Sequence, residues 1–124
     1  MEPLVWNWIA GEDEFLLRIG EIEALDDSTS DGVLDFRYRL LQGYQRGGFE
    51  QAPVKIREVL SCIRLGLIGA GADRKEAERK VKSAFEDADI ASLCLLAFTI
   101  VSHSLKGKEH DPVGETEAAE NPEE

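Results

Sequence analysis

The sequence predicts an α+β protein, mainly α, with an N-terminal β-hairpin packed on a bundle of about five helices. Three observations predict it. Strand-forming residues cluster on either side of a Gly-containing link between Leu4 and Ile19. From Gly20 to Leu105 the apolar residues recur at helical spacing in successive stretches. Residues that cap helices stand before three of those stretches, at Ser30 or Asp31, at Asp73 and at Asp89. With 124 residues, the chain has room for one compact core. The expected organisation is one globular domain over residues 1–106 and an acidic, disordered tail over 107–124.

Leu4 to Ala10 (LVWNWIA) reads as the first strand, and the period-two rule puts Trp6 and Trp8 on one face. Gly11 to Asp13 read as the turn and Glu14 to Ile19 as the second strand. A lone hairpin is marginal in water, so one face must lie on the helices. Trp6 and Trp8 are then core anchors or an exposed binding surface, and core anchoring is the commoner outcome for aromatics.

Gly20 to Asp27 is a short helix with Glu21 and Glu23 in its first turn, where the helix dipole favours acids. After the polar break Ser28 to Asp31, a helix runs from about Gly32 to Gln42, with Val33, Leu34, Phe36, Leu40 and Leu41 as its stripe and Arg37 flanking it. Gly43 to Gly48 read as a connector. It lacks the strand before it and the Lys-Ser/Thr pair that a phosphate-binding loop needs.

The central stretch is Val54 to Gly71, in which Ile56, Val59, Leu60, Ile63 and Leu67 fall at helical spacing. Pro53 suits the first turn, and Gly69 to Gly71 close the helix. Gly66 lies inside the pattern at a cost of about 1 kcal/mol, which implies a close-packed neighbour, another backbone, at that point. Asp73 with Glu76 reads as a capping-box start for a charged helix whose narrow apolar face is Ala77, Val81, Ala84 and Phe85. Glu78 and Lys82 are spaced to pair along it. Asp89 caps the last helix, about Ile90 to Leu105, which is apolar nearly all round and so is covered by its neighbours or by a second subunit. A homodimer is one way to cover it.

Composition narrows the function. Hydrophobic residues make up 43% and charged residues 31%, the range of soluble globular proteins. The apolar run Ile90 to Val101 is too short to span a bilayer, so no membrane association is expected. MEPLVWNW has no basic leader, and the expected location is cytoplasmic. Cys62 and Cys94 sit in apolar helical patterns and read as buried thiols, their pairing left open. Neither belongs to a Cys-x-x-Cys pair, and His103 and His110 complete no zinc spacing. Asp26-Asp27 and Asp87-x-Asp89 lack an EF-hand loop. No nucleophile elbow or paired acid and base is present. The expectation is a non-enzyme with no catalytic, metal or cofactor-binding residues.

The net charge is −11, with −9 in residues 1–35, +4 in 36–106 and −6 in 107–124. Phosphate contacts dominate non-specific nucleic-acid affinity, so this balance argues against such a partner. The alternative reading keeps it alive as a small nucleic-acid-binding regulator using the basic helix 73–86. Segregated charge fits a protein partner with complementary patches at least as well.

Gly11, Glu12, Phe15, Leu17, Ile19, Gly20, Glu21, Ile22 and Leu25 match a G-E-x-x-F-x-L-x-I-G-E-hydrophobic-x-x-L signature. Ile63 to Gly69 with Gly71, then Asp73, Glu76 and Ala77, match an I-R-L-G-L-I-G-G-G helix end and a D-x-x-E-A helix. Over residues 10–114 the chain thereby resembles the small tail protein family of gene transfer agents and related prophages. Ala70 stands where that family commonly has Gly, and Trp6-x-Trp8 and the acidic tail are less typical of it. The resemblance implies a non-enzymatic role in building a phage-like tail, as a tail assembly chaperone that shields tail tube or tape-measure protein. It also allows incorporation into a phage-like particle. The expected partner surface is apolar, near the hairpin or the central helix, and uses Trp6, Trp8, Arg57 and Arg64. Arg57 and Arg64 are seven residues apart and share a helix face.

Overall fold

The computed structural model describes residues 1–106, so the tail expected over 107–124 lies outside the described residues. A two-stranded antiparallel hairpin, β1 (Leu4–Trp8) and β2 (Gly11–Phe15), precedes five helices. These are α1 (Ile19–Ser28), α2 (Val33–Gln45), α3 (Ile56–Gly69), α4 (Arg74–Asp87) and α5 (Ile90–Leu105), with a 3-10 turn over Phe49–Gln51. The mainly helical α+β architecture is the one the residue pattern predicts.

Helix α3 is the centre. It packs against α1, α4, α5 and β2, while α2 lies on α5 and the 3-10 turn. Val59, Ile63 and Leu67 of the expected stripe are buried, together with Cys62 and Leu65. Helix α3 begins only at Ile56; that residue is exposed and Leu60 half-buried, because the buried face of the helix start runs through Glu58 and Val59 instead. Pro53 therefore precedes the helix rather than opening it. The Lys55 N–H donates to the Glu58 carboxylate at 2.9 Å, and this interaction marks the true start.

The hairpin turns earlier than its sequence suggests. Ile9 and Ala10 form the turn, Trp8 pairs with Gly11, and Gly11 takes a φ of 111° that a side chain would resist. Glu12 and Asp13 are thus strand, not turn. The strand stops at Phe15 because the next two amides serve the helices. Leu16 N–H donates to the Gly66 carbonyl at 2.9 Å, and Leu17 N–H donates to Ser104 Oγ at 2.9 Å.

That crossing explains the central glycines. A Cβ on Gly66 would sit 3.2 Å from an Ile100 methyl and 3.4 Å from Phe15 Cβ. A Cβ on Gly69 would fall onto the Leu16 carbonyl oxygen. Side chains therefore face Gly66, whose carbonyl takes the Leu16 amide, and the close backbone expected there comes at Gly69 instead. Arg18 Nε donates to the Gly69 carbonyl at 2.9 Å and ties the same crossing from the other side.

Three other local readings are corrected. Helix α2 continues through Gly43 to Gln45, because Ala52 of the returning chain packs directly on Gly43. The start of α2 is capped neither by Ser30 nor by Asp31. Its Val33 N–H donates to Asp26 Oδ1 of α1 at 2.7 Å, and Ser30 donates to Glu58 instead. On α4, Asp73 caps as expected, accepting from the Lys75 and Glu76 N–H groups. The Glu76 carboxylate turns to Arg79, and Glu78 with Lys82 is not among the ion pairs of the described residues. Asp89 caps α5 through the Ser92 N–H at 3.1 Å.

Glu58 is a charged residue at 1% exposure, which demands partners. Its carboxylate accepts from Arg39 at 2.9 and 3.1 Å, from Ser30 N–H at 2.8 Å and from Lys55 N–H. Arg39 also binds Asp35 at 2.7 Å. The cluster joins the α1–α2 link, α2 and the start of α3. Burial opposes the Glu58 charge, but the hydrogen bonds from Arg39, Lys55 and Ser30 outweigh it and hold the carboxyl at about 2. Cys62 and Cys94 are both buried and unpaired. Burial pushes the Cys62 thiol far above its ordinary range and, with the Glu50 charge adding to it, moves Cys94 up to about 11.

Three outcomes follow from these contacts. Gly69→Ala should lower stability in urea by about 3 kcal/mol, because backbone must part to admit the methyl, whereas Gly66→Ala should change it by about 1 kcal/mol or less. A Glu58 carboxyl held below its ordinary 4.5 stabilises the fold above that pH. About 3 kcal/mol should therefore be lost as pH falls from 4.5 towards about 2, and urea midpoints of Glu58→Gln should lack this step. A thiol reagent at pH 8 should label neither cysteine in native protein and both in denaturant.

Candidate protein-docking site

The inward face of β1 carries Leu4, Trp6 and Trp8, all half-buried against the core. Trp8 meets Phe15 edge-on with ring centroids 5.7 Å apart, a geometry aromatic pairs prefer. Its indole Nε1 donates to Asp13 Oδ2 at 2.8 Å, and Asp13 Oδ1 accepts from Lys80 Nζ at 2.9 Å. The hairpin is thereby fastened to α4 as well as to α3. Both tryptophans anchor, and both still show a surface.

That surface lines a cavity of about 340 Å³ between β1 and the corner where α4 turns into α5. Trp6, Asn7, Trp8 and Ile9 form one wall, and Leu93, Leu95 and Leu96 form the other. Asp87, Asp89 and Ser92 stand at the corner. The hydroxyl and N–H of Ser92 hold the Asp89 carboxyl below its ordinary value, so it is anionic at neutral pH. Leu95 remains 39% exposed, so the mouth of the cavity is oily as well as acidic. Ala88 of the same corner also lines a second, apolar hollow of about 430 Å³ with Phe49, Val54, Ile56 and Phe85.

Arg57 and Arg64 lie elsewhere. Arg57 is exposed and lines a shallow polar cleft with Asp27 to Ser30, Lys55, Glu58 and Ser61, and Arg64 is half-buried. The fold brings Trp6 and Trp8 into one cavity and leaves Arg57 and Arg64 outside its lining. On α4, Arg79 is paired with Glu76 and Lys80 with Asp13, which neutralises part of the basic helix 73–86. Sequence reasoning missed Leu95 and the placement of Asp87 and Asp89 in the lining of the tryptophans' cavity. The two acids were visible as a spaced pair, but only the fold sets them opposite β1.

Among the described residues there is no group of three or more residues able to hold a metal ion, and no helix is long and apolar enough to cross a membrane. The arrangement is an aromatic and aliphatic recess with acidic residues at its corner. A family model described as phage tail tube protein, GTA-gp10, matches residues 4–107, in keeping with the resemblance carried by the glycine signatures. No curated protein and no solved structure matches the chain. A match across most of the chain, on a fold that packs the signature glycines Gly66 and Gly69 at its central crossing, assigns this protein to the phage tail tube protein, GTA-gp10 family.

Proposed function

We propose that this family member acts as a tail assembly chaperone, a non-enzymatic protein that holds a tail tube or tape-measure protein before it polymerises. The observation that carries the reading is the recess at Trp6 and Trp8, which leaves costly aromatic and leucine surface open in a single chain. Such surface is worth keeping when a partner covers it. The charge distribution supports a partner of different composition. Residues 1–35 carry −9, so copies meeting through their hairpins repel.

The family description favours a second reading, in which the chain is itself a tube subunit. A tube subunit must present two complementary faces and close or extend through them. Co-expression with the tube and tape-measure proteins of the same tail, followed by light scattering, separates the two. The chaperone reading predicts a monomer or dimer alone and a defined complex with one of those partners. Rings or tubes formed by the chain alone, or recovery of neither partner, would contradict it.

A further inference from the structure

We infer that the free edge of β1 takes up an extended segment of a partner protein as a third strand, with a bulky apolar side chain in the Trp6–Trp8 recess and a neighbouring Lys or Arg facing Asp87 and Asp89. The inference rests on the reading that the chain holds a protein partner, and it names how. Trp6, Asn7 and Trp8 are consecutive strand residues whose side chains alternate in direction. They line one cavity together, as a cavity along the strand edge would have them do. Among the described residues the sheet has two strands, and β1 is paired to β2 alone. Its outward N–H and C=O groups are therefore available to a new strand, the arrangement by which open sheet edges capture peptides. The far wall, Leu93, Leu95 and Leu96, supplies a seat for a side chain of the added strand.

Charge selects the occupant. Asp87 has no ion-pair partner among the described residues, and Asp89 keeps its charge. Glu12 and Glu14 are exposed on the adjoining strand. The chain's own residues 107–124 carry −6, and a second copy brings the same acids to the contact, so both are repelled. A basic strand with alternating apolar residues meets every feature of the edge.

The test uses a blocked nonapeptide, Thr-Lys-Val-Lys-Leu-Lys-Val-Lys-Thr, titrated into the full chain and followed by tryptophan fluorescence and by hydrogen exchange of the β1 amides. Saturable binding is expected, with slowed exchange confined to β1. Leu95→Lys and Asp87→Lys, both at exposed positions, should each weaken it by about tenfold without moving the thermal midpoint. The peptide with Glu for Lys should not bind, and neither should one N-methylated on alternate backbone amides. Equal binding of the acidic or N-methylated peptide, or no binding of the basic one at millimolar concentration, would overturn the strand site. Capture of a tail partner undiminished by both substitutions would overturn the site and leave the chaperone reading standing. Peptide binding as described, without capture of any tail protein, would support the site and overturn that reading.

Discussion

One crossing governs the molecule: the backbone of Leu16 passes over the second half of α3, its N–H on the Gly66 carbonyl and its own carbonyl against Gly69. Nothing larger than a hydrogen fits at Gly69, so the two backbones are held at a separation that side chains elsewhere must accept. From that contact β2 runs back along α3, Phe15 is driven to full burial, and β1 is set beside α5. Ser104 and Arg18 extend the same seam at either side. The recess between Trp6, Trp8 and the α4–α5 corner is a consequence of where this seam puts the hairpin.

The parts of the fold that were legible in the sequence are those decided locally. Asp73 and Asp89 cap their helices because a cap needs only its own next few amides. The period-two placement of Trp6 and Trp8 on one face is equally local and holds. What misled was tertiary. Gly11 to Asp13 read as the turn, yet they are strand, and the strand ends at Phe15 rather than Ile19 because the amides of Leu16 and Leu17 go to α3 and α5. Gly43 read as a helix stop and is a packing site, since its neighbour Ala52 arrives from beyond the connector. Glu58 fell within an apolar stripe without its partner Arg39 in view, and a buried carboxylate is intelligible only with that partner.

The candidate site divides the same way. Its tryptophan wall can be read from β1, whereas its leucine and aspartate wall comes from a helix corner some eighty residues further on. Arg57 and Arg64 share a helix face as their spacing requires, but that face does not contribute to the recess. Glu58 and Arg39 are committed to each other, and Cys62 and Cys94 to the core.

If the seam over Gly66 and Gly69 is the contact on which the rest depends, the Leu16 and Leu17 amides cannot be released without unfolding α3. Native-state hydrogen exchange in sub-denaturing urea measures this directly. Both amides should exchange only through global unfolding, with the same free energy and urea dependence as the buried amides of α3 and α5. Exchange of Leu16 and Leu17 through a low-energy local opening, with α3 and α5 still protected, would contradict it.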